Sequence, residues 1–307
     1  MVRGQPSQTA EAVCWMRASE QRHRPVNRIV DDPYAKLFLG PMLRAALATW
    51  EGSSRLGDLA DRFAPGLVTW VLCRHRYIDD CLVRALTGQA EQVVVLGAGY
   101  DMRAYRFARE LEGRPVFEVD FPATSQRKAR ILASHRSELP GADVRTVEMD
   151  FQTDSLRDRL EQAGLRRRAR TFFVWEGVAM YLARGAVKST LTELRELSAG
   201  GSEIALDLWR LPEGTDVVSA AARLSANALE LIGEPVTFAI HPEDAGPFLQ
   251  RLGYRVLEIA ESSTLEERYV RDRRRVYGAA YLVHAATRRV RTAGVRKGGA
   301  FAEDAPA

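Results

Sequence analysis

Four carboxylates stand where a sequence reading would look for a binding site. Asp101, Asp120, Asp150 and Glu176 each lie at or just beyond the end of a short apolar run, at residues 93–96, 116–119, 144–149 and 171–175. The first run stops at Gly97-Ala98-Gly99. Two glycines let the backbone turn sharply and approach a ligand closely. Asp120 follows Gly99 by 21 residues, a distance at which an acid typically hydrogen-bonds ribose hydroxyls. Met102 occupies the place of the third glycine in a dinucleotide fingerprint, and four carboxylates would repel a pyrophosphate. A nucleoside bearing positive charge suits this edge better. S-adenosyl-L-methionine, with its ribose, adenine, ammonium, sulfonium and single carboxylate, is the cofactor these residues point to.

An arginine adds to the set. Leu67, Val71, Ile78, Cys81, Leu82 and Ala85 recur at helical spacing, and Arg74 falls on the same apolar face. Burying an unpaired charge is costly, so an inward arginine needs an anion. Either Arg74 closes an internal salt bridge, or its fork of donors clamps the carboxylate of the cofactor. Arg76 falls on another face, with Asp80 one turn on as a surface partner.

These residues need a frame. The apolar runs, bounded by turn residues, read as strands buried on both faces, alternating with helical segments. That alternation predicts a doubly wound α/β sheet with its ligand at the carboxyl ends of the strands. Further strands are expected at 203–209, 254–259 and 276–286. Helices are expected at 11–22, 35–50, 65–86, 101–111, 185–197 and 242–252. Residues 1–90 read as a helical region packed on the core and contributing to the cofactor site, and 91–286 as the core. An insert at about 211–240, after the fifth strand, is placed to cap the site. Residues 287–307 read as a disordered tail.

Composition narrows the field. The chain has 307 residues, 46% of them hydrophobic, and a formal charge of +4. No long apolar run predicts a membrane span, and the first residues lack the apolar core of a signal peptide. Three unpaired-looking cysteines suit a reducing, cytoplasmic location. Scattered histidines give no metal-ligand spacing, and the basic clusters sit in loop-like or terminal segments rather than on one face with aromatics between them, which argues against nucleic acid.

Read together, seven pieces resemble the leucine carboxyl methyltransferase family, including bacterial members that act on polyketide carboxylates. They are Thr9-Ala10 with Arg17-Ala18; Asp31 to Ala35; Arg74 to Asp80; Val94 to Arg106; Glu118 to Pro122; Met149 to Phe151; and Trp175 to Leu182. The resemblance implies a class I methyltransferase fold, a Rossmann-like sheet of seven strands with the last antiparallel. It implies that Arg74 meets the methionine carboxylate, that Asp120 meets the ribose, and that Asp150-Phe151 lies beside adenine. Gly97 and Glu176 are further contacts, and Arg17 matches a basic position near the cofactor. Ala98, Gly99, Asp101, Phe121 and Gly177 adjoin these and complete the candidate set.

Methyl transfer from a sulfonium is an in-line displacement, favoured where water is excluded and the partners are held in line. A carboxylate acceptor is already ionised near neutral pH and needs no base. A phenol or alcohol needs a proton acceptor, for which Tyr181 and His241 are the candidates; each also has a structural reading, as a packing aromatic and a residue preceding a helix. The expected partner is a small-molecule carboxylic acid, with a hydroxyl acceptor as the alternative. A nicotinamide-dependent oxidoreductase and a non-catalytic cofactor-binding protein are the alternatives of other classes.

Overall fold

In the computed structural model, residues 8–49, 64–151, 153–210 and 235–288 are described, with single positions in 52–62 and 215–230. Most of the expected insert and nearly all of the expected tail therefore lie outside the described residues.

Seven strands form one sheet in the order β3-β2-β1-β4-β5-β7-β6. They are β1 Gln92–Leu96, β2 Val116–Asp120, β3 Val144–Glu148, β4 Thr171–Trp175, β5 Glu203–Trp209, β6 Tyr254–Ala260 and β7 Ala280–Thr287. Strands β1 to β5 run parallel to one another, while β7 runs antiparallel to both β5 and β6. This is the sheet the resemblance implied.

The strands are apolar throughout because both faces are covered. Along β1, Val93 and Val95 enter one core layer, and Val94 and Leu96 the other. The first layer holds helices α1 (Gln8–Glu20) and α3 (Leu67–Thr87). The second holds α6 (Leu156–Gln162), α7 (Arg184–Leu197) and α8 (Pro242–Arg251). Each fully buried Val, Leu or Phe contributes roughly 1.5–3 kcal/mol to this packing.

Helix α3 is the longest element. It begins after Pro65-Gly66, with Gly66 at φ +81°, and is closed by Gly88, whose amide bonds to the Arg84 carbonyl. The sequence reading gave it one apolar face. In the structure most of its circumference is buried, Arg74, His75 and Asp79 included, because α1, α9 (Ser262–Tyr269) and the sheet surround it. Arg76 does pair with Asp80 at the surface, at 2.9 Å.

Several boundaries differ from the sequence reading. The helix expected over 35–50 is a 3-10 turn at Ala35–Phe38 followed by α2 (Pro41–Ala48), since Gly40-Pro41 restarts the chain. The helix expected at 101–111 is a single turn, α4 (Arg103–Arg106), continued by irregular turns. Both its arginines are drawn to Asp79 on α3, a tertiary pull that outweighs local propensity. The last strand starts at Ala280 rather than 276, because the Tyr277 amide is taken by the Gly66 carbonyl. Helix α5 (Pro122–Ser134), which the sequence reading did not assign, opens with proline at its first position.

Candidate active site

The glycine turn after β1 has the geometry its residues permit. Gly97 and Gly99 have φ of +63° and +49°. A Cβ on Gly97 would clash with Val178 Cγ2, so only glycine fits. Ala98 is buried beside it, and its amide bonds to the Val119 carbonyl at 3.0 Å, joining the turn to β2. At the end of β2, Asp120 accepts from the backbone amides of Gly99 and Phe121. Burial raises its pKa, and those two amides work against the rise.

Phe121 and Phe151, from the ends of β2 and β3, face each other edge-on with ring centroids 6.3 Å apart. Asp150 closes a tight turn: its carbonyl accepts the amides of Thr153 and Asp154, and its own amide bonds to Asp154 Oδ2 at 3.0 Å.

The remaining acids do not form the bare carboxylate wall that counting acids in the sequence suggested. They are interleaved with arginines. Arg74 donates from Nε to Glu176 Oε1 at 3.0 Å and from Nη1 to Asp207 Oδ2 at 3.1 Å. Arg103, 1% exposed, bonds to Asp79 at 2.7 Å, to Glu176 at 2.8 Å and to Asp101. Arg106 meets Asp79 at 2.6 Å. Arg17 meets Asp32 at 3.0 Å and the Tyr100 carbonyl at 2.9 Å, which ties α1 to the glycine turn. These four guanidiniums face five carboxylates, so with all ionised the cluster carries one excess negative charge.

His75 sits among them. Its Nε2 lies 2.9 Å from Arg106 Nη1, and its Nδ1 lies 2.9 Å from Arg103 Nη2 and 3.3 Å from Glu176. Burial and the Arg103 charge depress its pKa. Burial pushes Glu176 up, but Arg103, His75 and Arg74 outweigh it and hold the carboxyl well below its usual range. Asp207 is raised by burial, against the pull of Arg74 and the Gly177 amide. His75, Asp101 and Glu176 approach within 4.8 Å of one another, but Arg103 bonds to all three and already supplies the cation there.

Gly177 is placed by this network. Its amide bonds to Asp207 Oδ1 at 2.6 Å, and a Cβ on it would lie 3.2–3.3 Å from the two terminal nitrogens of Arg74. Arg74 Nη2 has no protein partner among the described residues, leaving one donor of the fork for a ligand.

The structure thus brings Arg17, Arg74, Asp101, Glu176 and Gly177 into one cluster, with Gly97, Ala98, Gly99, Asp120 and Phe121 beside it and Asp150 and Phe151 at the next strand end. Tyr181 ends a 3-10 turn and lies close enough to Arg74 to raise its pKa, burial being the larger and opposing influence. His241 directly precedes α8, where its carbonyl accepts the amides of Asp244 and Ala245. The sequence reading missed Asp32, His75, Asp79, Arg103, Arg106 and Asp207. A signal existed for two of them: Asp207 interrupts an apolar strand, and Asp79 follows His75 by one helical turn.

Residues 10–195 match the family described as leucine carboxyl methyltransferase. A Frankia alni protein named "Putative S-adenosyl-L-methionine-dependent methyltransferase" is 36% identical over 210 residues, covering 67% of this chain and 71% of its own. A Mycobacterium avium protein with the same name is 30% identical over 267 residues, covering 81% and 82%. Among solved structures, a "putative methyltransferase" from Thermobifida fusca superposes with TM-score 0.56 at 14% identity, over 94% of this chain and 97% of that one. A Streptomyces avermitilis protein gives TM-score 0.53 at 14% identity, over 88% and 100%. At that identity the structures share the fold alone. Among the described residues no helix is long and apolar enough to cross a membrane.

Proposed function

The chain belongs to the leucine carboxyl methyltransferase family, and from that premise we propose that it moves the methyl group of S-adenosylmethionine onto a carboxylate oxygen of a small molecule. As a member it is an S-adenosylmethionine-dependent methyltransferase; the acceptor is our reading.

The observation that carries the residue assignments is the cluster at the strand ends. Its one excess negative charge complements the net positive charge of the methyl donor. Asp120, fixed by two amides, is poised for the ribose hydroxyls. Phe121 and Phe151 offer apolar faces for adenine. Arg74 Nη2 donates to the methionine carboxylate, while Glu176, Asp101 and the nearby acids balance the ammonium. Arg17 and Gly177 act from behind, one fixing the glycine turn and the other leaving room for the Arg74 guanidinium.

When bound, the cofactor supplies the methyl group on a sulfonium sulfur, which keeps the bonding electron pair and leaves as a neutral thioether. The protein's part is orientation and exclusion of water. A carboxylate acceptor fits this site because it requires no base. Tyr181 becomes relevant only for a hydroxyl acceptor, the second reading, favoured by its position beside Arg74.

Two measurements test this. Calorimetry should show saturable binding of S-adenosylmethionine and of its demethylated product, with none for NAD. Incubation with the methyl donor and a panel of small carboxylic acids should give products 14 mass units heavier and labile to mild base, as esters are. Base-stable methyl ethers from a matched panel of phenols, with no ester from any acid, would overturn the carboxylate reading.

A further inference from the structure

Beneath α5 the packing leaves space. A cavity of about 380 Å³ runs from Gly99 and Asp120, at the carboxyl ends of the strands, to Val144 at the start of β3. That volume lies within the range of small-molecule sites. Phe121, Phe151, Arg74 and Glu176, the proposed neighbours of adenine and the methionine arm, do not line it.

Its walls are built with charge. Glu118 is 5% exposed and accepts from Lys128 Nζ at 2.6 Å through Oε2. Its other oxygen, Oε1, has no hydrogen-bond partner among the described residues. A buried carboxylate oxygen without a donor is unfavourable, so the site calls for a hydroxyl or N–H at that point. Arg136 lines the same cavity, is exposed to solvent, and has no acid partner among the described residues. Leu132, Leu139 and Val144 make up an apolar wall.

We propose that this cavity is a second small-molecule site, taking a small cyclic hydroxy acid. The hydroxyl donates to Glu118 Oε1, the ring lies on Leu132 and Val144, and the carboxylate meets Arg136. The proposal does not depend on the methyl acceptor. Because the cavity shares Gly99 and Asp120 with the proposed ribose position, its ligand and the cofactor should alter each other's affinity by the same factor.

The test uses the full chain and 4-hydroxybenzoate as probe, titrated by calorimetry in the presence and absence of S-adenosylmethionine. Saturable binding of one probe per chain is expected. Benzoate and phenol, each lacking one polar end, should bind about tenfold more weakly or worse. Arg136→Ala, at an exposed position, should cost about tenfold. Leu132→Trp, which fills the cavity, should remove probe binding while the melting curve stays cooperative. No saturable heat from the probe would mean a cavity that holds water only, and would overturn the proposal. So would binding unchanged in both variants, which would place the probe in the acceptor site. Failure of the methyltransferase reading would appear separately, as absence of binding by the methyl donor alone.

Discussion

Arg74 shows how two readings of one residue can both hold. It closes an internal salt bridge with Glu176 and Asp207, yet keeps a terminal nitrogen, Nη2, with no partner among the described residues. Arg74→Lys keeps the charge and loses the fork. Affinity for S-adenosylmethionine should fall about tenfold or more, while affinity for methylthioadenosine, which lacks the amino-acid arm, should hardly change. Equal losses for both ligands would reduce Arg74 to a structural ion. Arg74→Met leaves the buried Asp207 without its cation, while Glu176 keeps Arg103, and should cost about 3–5 kcal/mol of stability, read from denaturant midpoints. Asp120 gives a cleaner binding test. Asp120→Asn keeps an acceptor for one amide but loses the charge offered to the ribose. Cofactor affinity should drop roughly ten- to a hundredfold, with an unchanged circular dichroism spectrum. Unaltered affinity would mean the ribose is held elsewhere.

At the scale of elements, the turn between β1 and α4 sets the position of the site. Its backbone is committed to positive φ at Gly97 and Gly99, and Val178, from the segment after β4, leaves no space for a side chain at Gly97. Gly97→Ala therefore meets both a disfavoured conformation, about 1–2 kcal/mol, and a clash. Its melting temperature should fall, and its cofactor affinity should fall further than stability alone explains. Wild-type affinity in a folded Gly97→Ala protein would show that the turn is not the cofactor's seat. Helix α3 works with this turn: it lies behind the sheet edge and delivers Arg74, His75 and Asp79 from one run of six residues. The glycine turn was legible in the sequence because its residue types are the cause of its shape. The pairing of α3 with Arg103 and Arg106 was not, because it joins residues more than twenty positions apart.

Across the whole molecule, binding chemistry sits at one end of the sheet and a separate stabilising pair at the other. His284 in β7 bonds to Glu203, the first residue of β5, at 2.7 Å. Burial opposes its charge, but the Cys81 sulfur and the Glu203 carboxylate outweigh it, raising its pKa from 6.5 to about 9. A raised pKa stabilises the fold fully below the unfolded value, and that contribution is lost as pH rises through the folded one. His284→Gln should therefore lower the melting temperature most at pH 6, by the equivalent of roughly 3 kcal/mol. The deficit should shrink to a constant above about pH 10, with cofactor affinity intact throughout. A deficit independent of pH would mean that the pair is neutral.

The sequence by itself determined the strand series, the glycine turn, the acids at the strand ends and the family, because each depends on residue type and local spacing. Only the tertiary structure decided that two of those acids, Asp101 and Glu176, pair with arginines, that Asp207 and Asp79 belong with them, and that a cavity lies under α5. Charge pairing and empty space depend on which distant residues meet, and local spacing does not encode that.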